Sequence, residues 1–270
     1  MTKYIPVLER HKDHLFHMTL TQPNCTGEEL QHTIKKMTFA FRRLIAYLRG
    51  DINIKIKGVD FTEWGYVGAI RSLEVTFKND SYHPHYHIAL ALDCDIGEKT
   101  IKNTYSKSYK SDKMKLFSEK EVLIQKIWYL LMNDQSVTRK AIDALNEGYS
   151  CVIDRFKEND YAELFKYATK VTTEDHTVLT YEHFKTLYHA MHSVKQIQGY
   201  GVFYRVKDEV SENMIAEVEN MYNALIEYLQ SIESPIQEIS LLKELLEDFQ
   251  YKLISRKRIF RYLVDVMASE

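Results

Sequence analysis

Two alternating runs joined by a short polar segment constrain this chain more than any other feature. In Arg71-Ser72-Leu73-Glu74-Val75-Thr76-Phe77, period-two geometry sets Leu73, Val75 and Phe77 on one face and Glu74 and Thr76 on the other. In Tyr82-His83-Pro84-His85-Tyr86-His87-Ile88-Ala89, the same rule puts His85 and His87 on one face and Tyr86, Ile88, Leu90 and Leu92 on the opposite one. Lys78-Asn79-Asp80-Ser81 between them is turn-like. The runs 66–77 and 85–92 are therefore expected to pair as a hairpin that brings Glu74 beside the histidines. Two neutral imidazoles and a carboxylate, with positions left for water and a phosphate oxygen, suit Mg²⁺ or Mn²⁺ and can hold Zn²⁺. His83 shares the parity of the other two, but Pro84 follows it and the strand is expected to begin only there.

Two further segments attach a reaction to this metal site. Phe16-His17-Met18-Thr19-Leu20-Thr21-Gln22-Pro23-Asn24 reads as an alternating strand closed by a Pro-Asn turn, with His17 on the face that borders the site. Tyr161-Ala162-Glu163-Leu164-Phe165-Lys166-Tyr167-Ala168-Thr169-Lys170 reads as a helix. Glu163 and Tyr167 stand one turn apart on one face of it, and Lys170 follows three residues later.

In this order the segments resemble the motifs of the HUH endonucleases. More narrowly, they are similar to the rolling-circle replication initiators of small Gram-positive plasmids. Those show a Phe-x-x-Leu-Thr strand, a His-Pro-His-x-His strand and a Glu-x-x-Lys-Tyr helix, here Phe16 to Thr21 with one residue more before Leu20, His83 to His87, and Glu163 to Tyr167. Ile197-Gln198-Gly199-Tyr200-Gly201-Val202-Phe203 is similar to the glycine-containing strand that follows the catalytic helix in these initiators. The likeness covers roughly residues 12 to 205 and does not reach the C-terminal 65.

The resemblance implies a metal-dependent, site-specific nickase. A tyrosine hydroxyl with an ordinary pKa of about 10 is a poor nucleophile near neutrality, and a divalent cation compensates by polarising the scissile phosphate. Attack by Tyr167 would leave a 5′-phosphotyrosine and a free 3′-hydroxyl for a polymerase to extend. Glu163 would act as general base on water in the closing step, and Lys170 would place its ammonium on a phosphate. The implied partners are plasmid double-strand origin DNA, single-stranded at the nick, and a host helicase and polymerase. Taken alone, Glu163, Lys166 and Lys170 are ordinary solvated helix charges. Tyr167 is one of 19 tyrosines, singled out only by its neighbours, and Tyr161 is the nearest competitor on a different helix face.

The net charge of −2 divides unevenly. Residues 208–250 hold eleven acidic residues and one lysine, and 251–270 hold five basic and two acidic, which leaves +5 on residues 1–207. A basic catalytic region, 1–207, is thus joined to a largely acidic helical region, 208–270, which DNA would repel over most of its length. Helices expected at about 208–231 and 236–266 carry leucine and isoleucine stripes suited to packing on the domain or on a second copy, as a homodimer. Between 99 and 115, Lys99, Lys102, Lys107, Lys110, Lys113 and Lys115 interleave with Tyr105 and Tyr109. Lysines for phosphates and aromatics for bases make a candidate single-strand-binding loop, with Lys107, Lys110, Lys113, Tyr105, Tyr109 and Lys166 as its DNA contacts. The competing reading is a solvated linker, since no periodicity fixes the geometry.

The remaining pattern predicts an α+β fold. Strand 15–22 leads into a capping box at Thr26-Gly27-Glu28-Glu29 and a helix to about Arg49, striped by Leu30, Ile34, Met37, Phe41, Leu44 and Leu48. Helices are expected at 118–132, near 136–147 and around 182–195, with a strand at 199–206. An antiparallel sheet with helices on one face is the economical arrangement, and the resemblance implies about five strands with the site on the exposed face. Cys25, Cys94 and Cys151 form no Cys-x-x-Cys pair, which excludes a zinc finger and suits a reducing cytoplasm. No signal peptide is read, and no apolar run approaches the ~20 residues of a membrane span. A relaxase or transposase would share the chemistry, though a nucleophile placed after the histidine motif disfavours a conjugative relaxase. A non-catalytic origin-binding or copy-control protein would have no need of Glu74, His85, His87 and Tyr167.

Overall fold

The hairpin closes through Asn79 and Asp80, both with left-handed backbone (φ 49° and 53°), the short polar residues that tolerate it best. In this computed structural model, residues 2–51, 53–106, 114–165 and 180–206 are described. Lys78 pairs with Ser81 across the turn, and from that fixed point the register runs Glu74 opposite His85 and Ser72 opposite His87. The second strand begins at Ser81, ahead of the start expected at His85. Pro84 is tolerated inside it because Tyr82 already spends its N–H on Cys25 on the side Pro84 shares with it. The neighbouring strand on that side pairs only from Tyr86 onward, so the missing N–H removes no ladder bond.

Five strands form one antiparallel sheet: β1 Leu15–Leu20, β2 Tyr66–Lys78, β3 Ser81–Leu92, β4 Cys151–Arg155 and β5 Ile197–Gly201, in the order β4-β1-β3-β2-β5. The described helices are α1 Ile5–Arg10, α2 Gly27–Leu48, α3 Glu119–Met132, α4 Arg139–Ala144, α5 Glu158–Phe165 and α6 Tyr181–Met191. Both α2 and α3 start at complete capping boxes, Thr26 with Glu29 and Ser118 with Glu121. The main core lies on one sheet face, where Phe16, Met18, Leu73, Tyr86, Ile88 and Leu90 meet the stripe of α2 and the buried side of α3. A smaller cluster of Leu8, Leu15, Ile70, Ala89, Ala91, Leu164 and Phe203 lies on the other face under α1 and α5. The face expected to be open is therefore roofed at one end. Among the described residues no helix is long and apolar enough to cross a membrane.

The helix expected near 136–147 is confined to six residues, and the expected helices beyond 207 lie outside the described residues. Strand 199–206 is instead Ile197–Gly201, ending where Gly201 turns left-handed (φ 59°). A Cβ on Gly201 would stand 2.4 Å from the carbonyl oxygen of Val67, so the glycine permits the close approach of β5 to β2.

The short edge strand β4 was not foreseen. It is fastened through Glu121, a fully buried carboxylate at the start of α3. Its Oε1 accepts from the Ile153 N–H at 2.7 Å and from Lys99 Nζ at 3.0 Å, while Oε2 accepts the Ser118 N–H at 2.7 Å. One side chain thus caps a helix, pairs a lysine and docks a strand. Removing it leaves two buried amides without an acceptor, while Lys99 keeps Asp154 and the Ile153 carbonyl. Glu121→Ala is expected to lower stability by about 2–4 kcal/mol, read as a fall in the denaturation midpoint.

Candidate metal centre

Glu74, His85 and His87 converge as their alternation requires, each offering a ligand atom within 4.8 Å of the others. Glu74 Oε2 lies 2.8 Å from His87 Nε2 and 3.3 Å from His85 Nε2. Metal bonds of ~2.1 Å at octahedral to tetrahedral angles set neighbouring donors ~3.0–3.4 Å apart, so the spacing fits a single cation. Burial would raise the Glu74 carboxyl, but hydrogen bonds from His85 and then His87 outweigh it and hold the group far below the ordinary carboxylate range.

The outer hydrogen bonds decide which imidazole nitrogens face inward. His85 Nδ1 lies 3.1 Å from the carbonyl oxygen of His83, which can only accept, so Nδ1 carries the proton and Nε2 presents its lone pair to Glu74. On the other side, His17 Nδ1 stands 2.9 Å from Asp160 Oδ1 and must donate to it. In a neutral His17, Nε2 is then an acceptor, and at 3.2 Å it takes the Nδ1–H of His87. His87 Nε2 is left with a bare lone pair as well. With both rings neutral, two imidazole lone pairs face the carboxylate, an arrangement satisfied by a cation among them and otherwise only by protons shared with Glu74. The donor set fits Mg²⁺, Mn²⁺ or Zn²⁺, with Glu74, His85 and His87 as the residues that would hold it. Ser72, opposite His87 in the ladder, adds a buried hydroxyl with no hydrogen-bond partner among the described residues.

The centre is less open than alternation alone suggested. The Glu74 side chain is 4% exposed and those of His85 and His87 are 12% and 11% exposed. The cause is α5, which lies against β2 and β3 on this face. His83, set aside in the sequence, stacks on His85 with ring centroids 5.1 Å apart. Asp160 carries no local motif, and only its position opposite His17 exposes its role.

The other candidate residues divide. Glu163 falls on α5, one turn beyond Asp160, and its side chain is outside the described residues, as are Lys166, Tyr167 and Lys170. Tyr161, the competing tyrosine, donates its hydroxyl to Glu9 Oε1 at 2.6 Å. Burial and that carboxylate both push its pKa well above the ordinary phenol, which makes it a poor nucleophile. In the lysine loop, Lys107, Tyr109, Lys110 and Lys113 lie outside the described residues. Tyr105 donates its hydroxyl to the Gly148 carbonyl at 2.8 Å and leaves its ring partly exposed. Lys99 and Lys115 are tied to Asp154, so they pin the ends of the loop to β4.

Comparison with known proteins adds an independent finding. The profile of a replication-protein family, Rep_1, matches residues 1–240. The chain belongs to this family. Among curated members of similar sequence, a protein named Protein rep from Staphylococcus aureus is 30% identical over 170 residues, 62% of this chain and 57% of that protein. Proteins of the same name from Streptococcus pneumoniae and Lentilactobacillus hilgardii are 31% identical over 88 and 83 residues, covering 24% and 23% of their lengths. The matched part of this Rep_1 chain thus spans little more than half of the longest-matching of the three relatives. No solved structure matches.

Proposed function

We propose that this Rep_1 protein is a plasmid rolling-circle replication initiator. It nicks one strand of an origin by tyrosine transesterification and later closes the strand, acting in the cytoplasm. The observation that carries the reading is the convergence of Glu74, His85 and His87 beneath α5, whose chain leads directly to Glu163 and Tyr167. When bound, a divalent cation would polarise the scissile phosphate. Glu74 and the two histidines supply the ligands, and the rigid hairpin holds them in register. The Tyr167 oxygen attacks phosphorus as its proton passes to water, the bond to the 3′-oxygen breaks, and that oxygen takes a proton from water and leaves as a hydroxyl. The 5′-phosphate stays on the tyrosine, retaining the ester for later transfer. Lys170 and Lys166 neutralise phosphate charge, and Lys107, Lys110, Lys113, Tyr105 and Tyr109 receive the single strand. Residues 1–207 form the nicking unit, while the acidic 208–270 region stays off the DNA and contacts a partner or a second copy.

The test is denaturing electrophoresis after incubation with Mn²⁺ and a pool of random-sequence single-stranded DNA. A protein band shifted by bound DNA, absent without the cation, supports the reading. No adduct from any sequence, in either Mg²⁺ or Mn²⁺, overturns it.

Glu163 governs how the cycle ends. A water activated by its carboxylate can hydrolyse the final phosphodiester, so one tyrosine suffices. Glu163→Ala is expected to nick within a few-fold of the parent rate while release of finished circles falls about 10²-fold, the usual worth of a general base. Multimeric single strands would accumulate. Termination at the normal rate would reduce Glu163 to a surface charge.

A further inference from the structure

We infer that Asp160 and His17 are positioning residues that hold His87 in its metal-binding tautomer and tie α5 to the metal centre. The inference rests on the metal-site reading above. Asp160 Oδ1 engages His17 Nδ1 at 2.9 Å, and His17 Nε2 engages His87 Nδ1 at 3.2 Å. The other oxygen, Asp160 Oδ2, accepts the Lys157 N–H at 2.6 Å, where α5 begins. The same carboxylate therefore caps the helix and, through one imidazole, sets the lone pair of a ligand. His17 is held in place by β1, where it pairs with Ala89 beside His87 in the ladder, and by an edge contact with Phe156. The His17 and Asp160 side chains are only 15% and 18% exposed, so water competes weakly for these bonds.

A hydrogen bond to the outer nitrogen of a metal-bound imidazole fixes its orientation and raises its basicity, and losing one lowers metal affinity by roughly 10–100-fold. Here the bond comes from a chain anchored on α5, described to Phe165, two residues before Tyr167 in the sequence. Filling the centre should therefore steady that helix, and loosening the helix should weaken the centre. The coupling is reciprocal by linkage.

The test measures Mn²⁺ binding by the full chain through the fall of the free-ion EPR signal, alongside amide hydrogen exchange over residues 158–165. His17→Leu keeps a side chain of similar bulk and removes both hydrogen bonds; its Mn²⁺ affinity should fall about 10–100-fold. His17→Gln, able to accept from His87 and donate to Asp160, should recover most of that loss. Asp160→Asn, which still offers an acceptor oxygen to His17, should fall between the two. Mn²⁺ should slow exchange in α5 of the parent and leave it unchanged in His17→Leu. Equal affinity in parent and His17→Leu, or equal loss in His17→Leu and His17→Gln with unaltered thermal unfolding, overturns the positioning role and leaves the metal site standing. Failure of the parent itself to bind Mn²⁺ overturns both.

Discussion

Tyr167→Phe is expected to give no covalent protein–DNA adduct under conditions where the parent chain gives one. The change removes a single oxygen and keeps the ring, so the side chain's packing should change little and the thermal midpoint should hold within a degree or two. Loss of the nucleophile should slow strand cleavage roughly 10⁴-fold or more, equivalent to about 5 kcal/mol in the activation barrier. Tyr161→Phe is the matched control. Its hydroxyl is already committed to Glu9 and its ionisation is suppressed, so adduct yield should stay at the parent level. An adduct surviving Tyr167→Phe and lost in Tyr161→Phe would move the nucleophile to Tyr161 and require Glu9 to release it.

His85→Ala is expected to abolish metal-dependent cleavage while sparing binding to duplex origin DNA. The substitution removes one of three converging donors and leaves Glu74 bonded to His87 alone. Cleavage should fall about 10³-fold, or about 4 kcal/mol in the barrier, because a cation held by two donors neither stays nor keeps its orientation. The substitution leaves the β3 backbone ladder and its register intact, so folding should survive. Cleavage in saturating Mn²⁺ and a filter assay of duplex binding separate the two effects. Equal loss of both would indicate a folding defect instead of a missing ligand.

How much of this was legible in the sequence differs by residue. The convergence of the three candidate donors was legible because it depends on two short-range regularities. Strand side chains alternate with period two, and the tight Asn79-Asp80 turn locks the register, so Glu74 and His85 had to meet across the hairpin. The starts of α2 and α3 were similarly local, since a capping box lies within four consecutive residues. By contrast, the edge strand β4 has five residues, of which Cys151 and Ile153 point into the core, too short for periodicity to separate it from a loop. What establishes it is its ladder with β1 and the Glu121 carboxylate, both far away in the chain. Lys99 reads locally as part of a basic loop, yet its ammonium is spent on Glu121, Asp154 and the Ile153 carbonyl.

The sequence alone determined the sheet hairpin, its three inward donors and the family likeness, because each rests on residue spacing along one continuous stretch. Only the tertiary structure decided which nitrogen of each imidazole faces inward, how far α5 closes over the site, and that Asp160 reaches His87 through His17. Those are relations between a strand near the start of the chain and a helix beyond its middle. A hydrogen bond extends only about 3 Å, so no pattern along the chain reports it until folding brings the two ends of that contact together.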